Sequence, residues 1–247
     1  MTYKVFYVND LRECCYVVDC GSQKCVVIDP GMQNAGECGR IADYIRSKEL
    51  EPAAILLTHA HFDHIMGVNF ILRNWNIPVY MNQADERQLR KAAQYALMFG
   101  EMIEAPAVNS LKFVNDNDML TFGDTQFKVL ATPGHSEGSV CYLAGECLFC
   151  GDTLFAGSIG RTDLPGGSYD SIVESLKTKI LPLDPDTIVL PGHGPETTVA
   201  SEASTNPFLQ SKRFLNFLNS VHNFLNKKPT LLPEKISKKK SVGICPR

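Results

Sequence analysis

No stretch of this 247-residue sequence comes near the run of about 18 apolar residues that a membrane-spanning helix requires, so no membrane partner is expected. An excess of basic charge is also missing. Lysine and arginine total 24 against 27 aspartates and glutamates, a formal net charge of -3. Without a basic footprint, nucleic acid is not an expected partner. The one basic run, KISKKK, lies in a Pro- and Lys-rich tail and reads as a solvated segment. The opening MTYKVFYVND lacks the basic start, apolar centre and small-residue cleavage site of a secretory signal, which favours the cytoplasm. Histidine is scarce as well, with six in the whole chain.

Cysteine is not scarce. There are nine, an odd number, and Cys14, Cys15, Cys20, Cys25, Cys141, Cys147 and Cys150 sit mostly among β-branched and aromatic residues. In a cytoplasmic chain such cysteines are small buried hydrophobes rather than disulfides. CLFC, at Cys147 to Cys150, has the spacing of a redox or zinc motif. It lies in a strand-like run, however, and an offset of three sends the two thiols to opposite faces.

The first third of the chain alternates short β-branched runs (YKVFYV, CCYVVD, KCVVIDPG) with turn signals, the pattern of an antiparallel meander. Helical periodicity follows from about Ala35 to Lys48, and then the apolar strand AAILLT. IMGVNFILRNW reads as a helix, PVYM as a strand, and Gln83 to about Gly100 as one longer amphipathic helix before the loop EAPAVN. The second half gives the strands DMLTF, TQFKVLAT, GSVCYLA and CLFCG, a helix near Tyr169 to Lys179, the strand DTIVLPG, and helix-like segments to about Asn226. Two successions of strands, each followed by helices, predict an α/β (α+β) arrangement of two packed sheets with helices outside. Residues 1–205 are expected to form the main domain, and 206–247 a C-terminal helix with a flexible Lys-rich tail.

Half of the histidines fall in one turn. LTHAHFDHIMG, Leu57 to Gly67, holds His59, His61, Asp63 and His64 directly after an apolar strand. Polar turn residues that only cap and hydrogen-bond are the plain alternative, but HxHxDH at a strand end brings imidazole and carboxylate donors into one hollow. That donor set suits zinc, iron or manganese. His135 in ATPGHSEGS, Asp152 in CGDTLF and His193 in LPGHGPE also follow β-rich runs, whereas His222 reads as a helix-surface residue. Seven side chains are too many for one tetrahedral ion and suit two; if Asp152 bridges, each ion receives three private ligands plus the shared carboxylate. Water shared by two cations becomes a nucleophilic hydroxide near neutral pH, and the cations stabilise an oxyanion, so the chemistry is hydrolysis.

The ordered set His59, His61, Asp63, His64, His135, Asp152 and His193 resembles the metal motif of the metallo-β-lactamase superfamily, from about Val26 to Glu196. The resemblance implies a four-layer αββα sandwich. It also implies two divalent ions, most readily zinc, one on His59, His61 and His135 and the other on Asp63, His64 and His193. Asp152 would lie between them, and Asp63 and Asp152 would be the catalytic carboxylates. GDTLFAGSIGRTDLPGG and LPGHGPETTVASEASTNPFL narrow the likeness to compact glyoxalase II-like hydrolases. Such enzymes cleave acyl-glutathione thioesters, small-molecule substrates, through a metal-bridging hydroxide. Arg161 falls where glyoxalase II commonly places a base that meets the glutathione carboxylate, the alternative being an ion pair with Asp163. Unlike glyoxalase II, this chain has only about fifty residues after His193, with Lys212 and Arg213 as weak anion-binding candidates. The helix around Arg87 to Met102 would then supply part of the pocket.

Persulfide dioxygenases, which use one iron, share HxHxDH and a GRTD-like stretch and form the main rival. β-Lactamases of the class with Cys at the position of Asp152, nucleases of the superfamily, and a non-catalytic metal or acyl-thiol binding protein rank below them.

Overall fold

The structure, a computed structural model, describes residues 1–210. Lys212, Arg213, His222, the KISKKK run and the expected helix towards Asn226 lie outside the described residues. Six strands form the first sheet: β1 (Thr2–Val8), β2 (Glu13–Asp19), β3 (Lys24–Ile28), β4 (Glu51–Leu56), β5 (Val79–Met81) and β6 (Leu111–Phe113). They lie side by side in chain order. β1 to β3 pair antiparallel, as the meander pattern predicts, and β3 to β6 pair parallel. The second half supplies β7 (Met119–Phe122), β8 (Thr125–Ala131), β9 (Val140–Ala144), β10 (Cys147–Gly151), the small hairpin β11 (Leu154–Phe155) and β12 (Ser158–Ile159), then β13 (Ile188–Pro191) and β14 (Thr197–Thr198). Apart from the hairpin these make a second six-stranded sheet in the order β14-β13-β10-β9-β8-β7.

β2 explains the layering. Cys14, Tyr16 and Val18 face the second sheet and pack with Phe127, Val129, Tyr142 and Phe149. Cys15 and Val17 face the other way, among Ile41, Ile45 and Ile71 of the helices. Those helices are α1 (Ala35–Ser47), capped by Asn34 through the N–H of Glu37, and α2 (Val68–Asn74). Leu130, Cys141, Leu148, Cys150 and Val189 are buried on the outer side of the second sheet. α5 (Tyr169–Ser175) forms the fourth layer with the wider turn at Leu176–Ile180, burying Ile172, Val173, Leu176 and Ile180. A strand sandwiched on both faces is apolar on both faces, which is why ECCYVVD shows no hydrophobic–polar alternation.

The eight described cysteines are free and buried. Cys147 faces the inter-sheet core and Cys150 the opposite side, as the strand offset predicts.

One expected helix is corrected. Gln83 to Gly100 is a tight turn at Gln83–Asp85, α3 (Glu86–Arg90) and α4 (Ala92–Met98), with a break at Lys91, whose φ of -105° and ψ of 11° leave the helical region. Asp85 is held by hydrogen bonds to other loops, which separates the turn from α3, and the break rotates α4 so that Ala92 and Ala96 stay buried while Tyr95 and Met98 turn to a cavity. The HxHxDH turn likewise forms its own short helical turn, Phe62–His64, ahead of α2. Among the described residues no helix is long and apolar enough to cross a membrane. α6 (Val199–Thr205) follows β14 and closes on Asn206, whose side chain donates to Glu202 at 2.8 Å.

Candidate metal centre

Parallel pairing gathers the site. β3 and β4 run parallel with Ile28 beside Leu56, so Asp29 and Thr58 emerge together, and the Thr58 N–H donates to Asp29 Oδ1 at 2.7 Å. β10 and β13 run parallel with Gly151 beside Pro191, so Asp152 and His193 emerge together. Loops at the carboxyl ends of parallel strands are where open α/β sheets place their sites. Four cross-sheet bonds hold the two edges in register. The Val140 N–H donates to Thr58 O (2.8 Å), the Cys14 N–H to Gly192 O (2.7 Å), Tyr142 OH to Leu57 O (2.9 Å) and Tyr16 OH to Pro191 O (2.7 Å).

The seven predicted site residues all meet at this edge. His59, His61 and His135 bring their nitrogens within 4.8 Å of one another, as do the donors of Asp63, His64 and His193. Asp152 faces both groups: Oδ1 is 3.4 Å from His64 Nε2, and Oδ2 is 3.4 Å from His135 Nε2 and 3.9 Å from His193 Nε2. Asp63 Oδ2 lies 3.2 Å from His193 Nε2.

Outer partners aim the imidazoles. Nδ1 of His64 faces Asp29 Oδ2 at 3.0 Å, that of His135 faces Arg161 O at 2.8 Å, and that of His193 faces Leu11 O at 3.1 Å. Thr58 Oγ1 donates to Asp29 and so accepts from Nδ1 of His59 at 3.0 Å. These four rings thus carry their proton on Nδ1 and turn Nε2 inward, the usual orientation of a metal-binding histidine. His61 is the exception, with Nδ1 only 2.7 Å from His135 Nε2. Two inward nitrogens at that distance need a proton or a cation between them. Burial also drives the His61 imidazole down to about 3 and that of His59 well below its usual range, so both are neutral lone-pair donors at pH 7. Burial opposes the ionisation of Asp152, but the imidazoles of His64, His135 and His59 outweigh it and hold the carboxylate well below its ordinary range.

Whether the residues fit a cation can be judged from the atoms left over. His59 Nε2, His64 Nε2 and Asp152 Oδ1 are buried and have no hydrogen-bond partner. Unpartnered buried polar atoms carry a large desolvation cost, and three of them aimed into one hollow match a bound cation. The donors are imidazole and carboxylate, the set that zinc, iron or manganese takes.

The cluster opens into a cavity of about 380 Å³, whose floor includes His61, Asp63, His135, Asp152 and His193. α4 forms one wall through Tyr95, Met98 and the following Phe99, as the expectation for the 87–102 region has it. Arg161 also lines the cavity, but its guanidinium makes two 2.8 Å hydrogen bonds to Asp163. Its backbone carbonyl, not its side chain, touches the cluster, through His135.

Three supporting carboxylates escaped the sequence reading. Asp29 in VVIDPG follows a strand as Asp152 does, so the same signal was present. Asp85 ties two of the loops together. Glu13 is fully buried with both carboxylate oxygens unpartnered, 3.7 Å from His64 Nδ1. Burial drives its carboxyl well above the usual range against the pull of His64, and Asp29, Asp63 and Asp152 add to the rise. Nothing in ECCYVV marks Glu13 as buried.

Comparison with known proteins agrees with this layout. The metallo-beta-lactamase superfamily model matches residues 10–193. The probable metallo-hydrolase YqgX of Bacillus subtilis is 42% identical over 75% of this chain and 87% of its own length. The hydroxyacylglutathione hydrolase GloC of Haemophilus influenzae is 31% identical over 86% of this chain and all of its own. The solved structure of TTHA1623 in a di-iron-bound form superposes with a TM-score of 0.75 at 38% identity, covering 83% of this chain and all of that one. The match runs through both sheets and ends at His193, the last residue of the cluster, and on that ground the chain belongs to the metallo-beta-lactamase superfamily.

Proposed function

We propose that the protein is a two-metal hydrolase of small-molecule acyl thioesters, working in the cytoplasm. One observation carries the reading: Asp152 stands between two donor groups, with an oxygen turned to each. In this reading His59, His61 and His135 hold one ion, Asp63, His64 and His193 the other, and Asp152 both. Zinc is the first candidate for both ions, with iron and manganese as alternatives suited to the same donors. Bound there, a pair of divalent ions supplies a water acidified towards neutral pH and a Lewis acid for the carbonyl oxygen.

The chain's own residues do the rest. Asp63 lines the cavity and, against the effect of burial, is kept below the ordinary carboxylate range by His64 and His193, so it presents an ionised oxygen to a cation. The Nδ1 anchors on Asp29, Thr58, Arg161 and Leu11 keep the imidazoles from turning when charge develops. Among the described residues the cavity holds no lysine and no cysteine to protonate a leaving group. A thioester suits that lack, because a thiolate leaves near neutral pH without much acid help. The name of GloC supports the same substrate class. The eight buried free thiols among the described residues support a reducing compartment.

The test is the metal content of protein purified anaerobically without added metal, together with thiol release from acyl thioesters. Two ions per chain and thiol release are expected. One iron per chain without thiol release would replace the reading with that of a persulfide dioxygenase.

A further inference from the structure

The wall of the cavity above the cluster is largely apolar. Leu11, Phe62, Met98, Phe99, Leu164 and Pro165 line it, and among the described residues Gln88 and Tyr95 are its polar members outside the cluster besides Arg161. Phe62 belongs to the HxHxDH turn itself, between His61 and Asp63, and its ring packs on Phe99 with centroids 5.5 Å apart. The apolar surface therefore begins at the metal cluster and continues outward to the end of α4, where Met98 and the following Phe99 are 74% and 51% exposed. Arg161 is the cavity's one arginine or lysine among the described residues, and Asp163 occupies both edges of its guanidinium that point to it.

Resting on the proposed thioester hydrolysis, we infer that this wall binds the acyl group of the substrate and selects an apolar one, while the thiol carrier stays outside it. Glutathione carries two carboxylates and an ammonium group. A carrier of that kind, laid on Phe62, Met98 and Phe99, would lose its hydration and find no partner for its charges. An alkyl or aryl acyl group has no polar atom beyond the scissile carbonyl and gains by leaving water. The volume of about 380 Å³ lies in the range of small-ligand sites. In the reaction the acyl C–S bond breaks and a C–O bond forms to water. The products are a carboxylate and a thiol, and the second proton of the water goes to solvent.

The test uses the metal-loaded full-length protein and four substrates: hexanoyl and lactoyl thioesters, each on glutathione and on uncharged N-acetylcysteamine. Released thiol gives kcat/KM. The expected result is a hexanoyl preference of about tenfold or more on both carriers, the discrimination an apolar pocket gives for added methylenes. Changing the carrier should alter kcat/KM far less than changing the acyl group. Met98→Glu places a charge on an exposed position of the wall, where folding tolerates it, and should cut the hexanoyl-to-lactoyl ratio by about tenfold. Hydrolysis that prefers lactoylglutathione, or a ratio that Met98→Glu leaves unchanged, would overturn the acyl wall and leave thioester hydrolysis standing. No thiol release from any of the four would overturn the hydrolase reading itself.

Discussion

Asp85 and Ser136, 51 residues apart in the chain, are joined by a 2.7 Å hydrogen bond in which Ser136 Oγ donates to Asp85 Oδ2. The same oxygen accepts the N–H of Ala60 at 3.1 Å, and Oδ1 accepts that of Gly138 at 2.7 Å. Ala60 stands between His59 and His61, and Ser136 follows His135. One buried carboxylate therefore fixes the distance between the two loops that bring three imidazoles together.

Replacing Asp85 with Ala should leave the N–H groups of Ala60 and Gly138 without their acceptor and cost about 3 kcal/mol, with metal retention falling alongside. Thermal unfolding and metal content after desalting check both effects. Asp85→Asn, which keeps the side chain's shape and one acceptor oxygen, should fall between. An Ala variant as stable and as metal-rich as the parent would show that the loops are held by other means.

Asp29 acts one step further out, on Nδ1 of His64 and through Thr58 on His59. Asp29→Asn keeps the shape and removes the charge. Metal affinity should drop about 10–100-fold, the usual effect of losing the outer partner of a ligating histidine. Competition with a chromophoric chelator measures it, and parental affinity would deny Asp29 this role.

Gly192 has no room for a side chain. A Cβ there would stand 2.3 Å from Asp152 Oδ1 and 2.6 Å from His64 Cε1. Gly192→Ala should displace Asp152 and reduce turnover by about 100-fold, since a shift near 1 Å in a reacting centre costs that much. Far-ultraviolet circular dichroism should stay the same, separating a site defect from a folding one. Full turnover would mean that the Asp152 loop yields without consequence.

The cysteines offer a check on the layering. Burial pushes Cys14, Cys20 and Cys25 up to about 12 and Cys141 up to about 11. A raised thiol pKa leaves almost no thiolate at pH 8, and thiolate is the form that alkylates. Iodoacetamide at pH 8 should leave all eight described cysteines unmodified in the native protein and modify them in urea, as peptide mapping would show. Labelling of Cys147 or Cys150 in the native state would contradict their burial in β10.

How much of this was legible beforehand varied with the range of the interactions. The HxHxDH turn, His135, Asp152 and His193 were readable because histidine is rare here and each of these segments follows a strand-like run. The parallel pairing that unites them, β3 with β4 and β10 with β13, was not legible, because strand patterns do not say which strands will be neighbours. Asp85 and Glu13 were not readable, because what makes them matter is a partner fifty residues or more away, or the lack of one. The single helix expected over 83–100 failed for a related reason. Leu89, Ala92 and Ala96 keep helical spacing, but the capture of Asp85 by other loops and the break at Lys91 are tertiary effects that periodicity does not carry. Arg161 shows the same limit, its side chain being taken by a neighbour two residues on and its carbonyl by His135.

The division of the cluster between two sheets bears on when the protein becomes competent. His59 to His64 leave the first sheet and His135, Asp152 and His193 the second, so neither donor group can assemble within one half of the chain. His193 follows the penultimate strand of its sheet, and the partners it needs were synthesised more than a hundred residues earlier. Each donor group is therefore complete only when both sheets are in place. The seven-residue cluster is thus a joint between the sheets as much as a site, and any change that moves one sheet against the other moves one part of each donor group away from the rest.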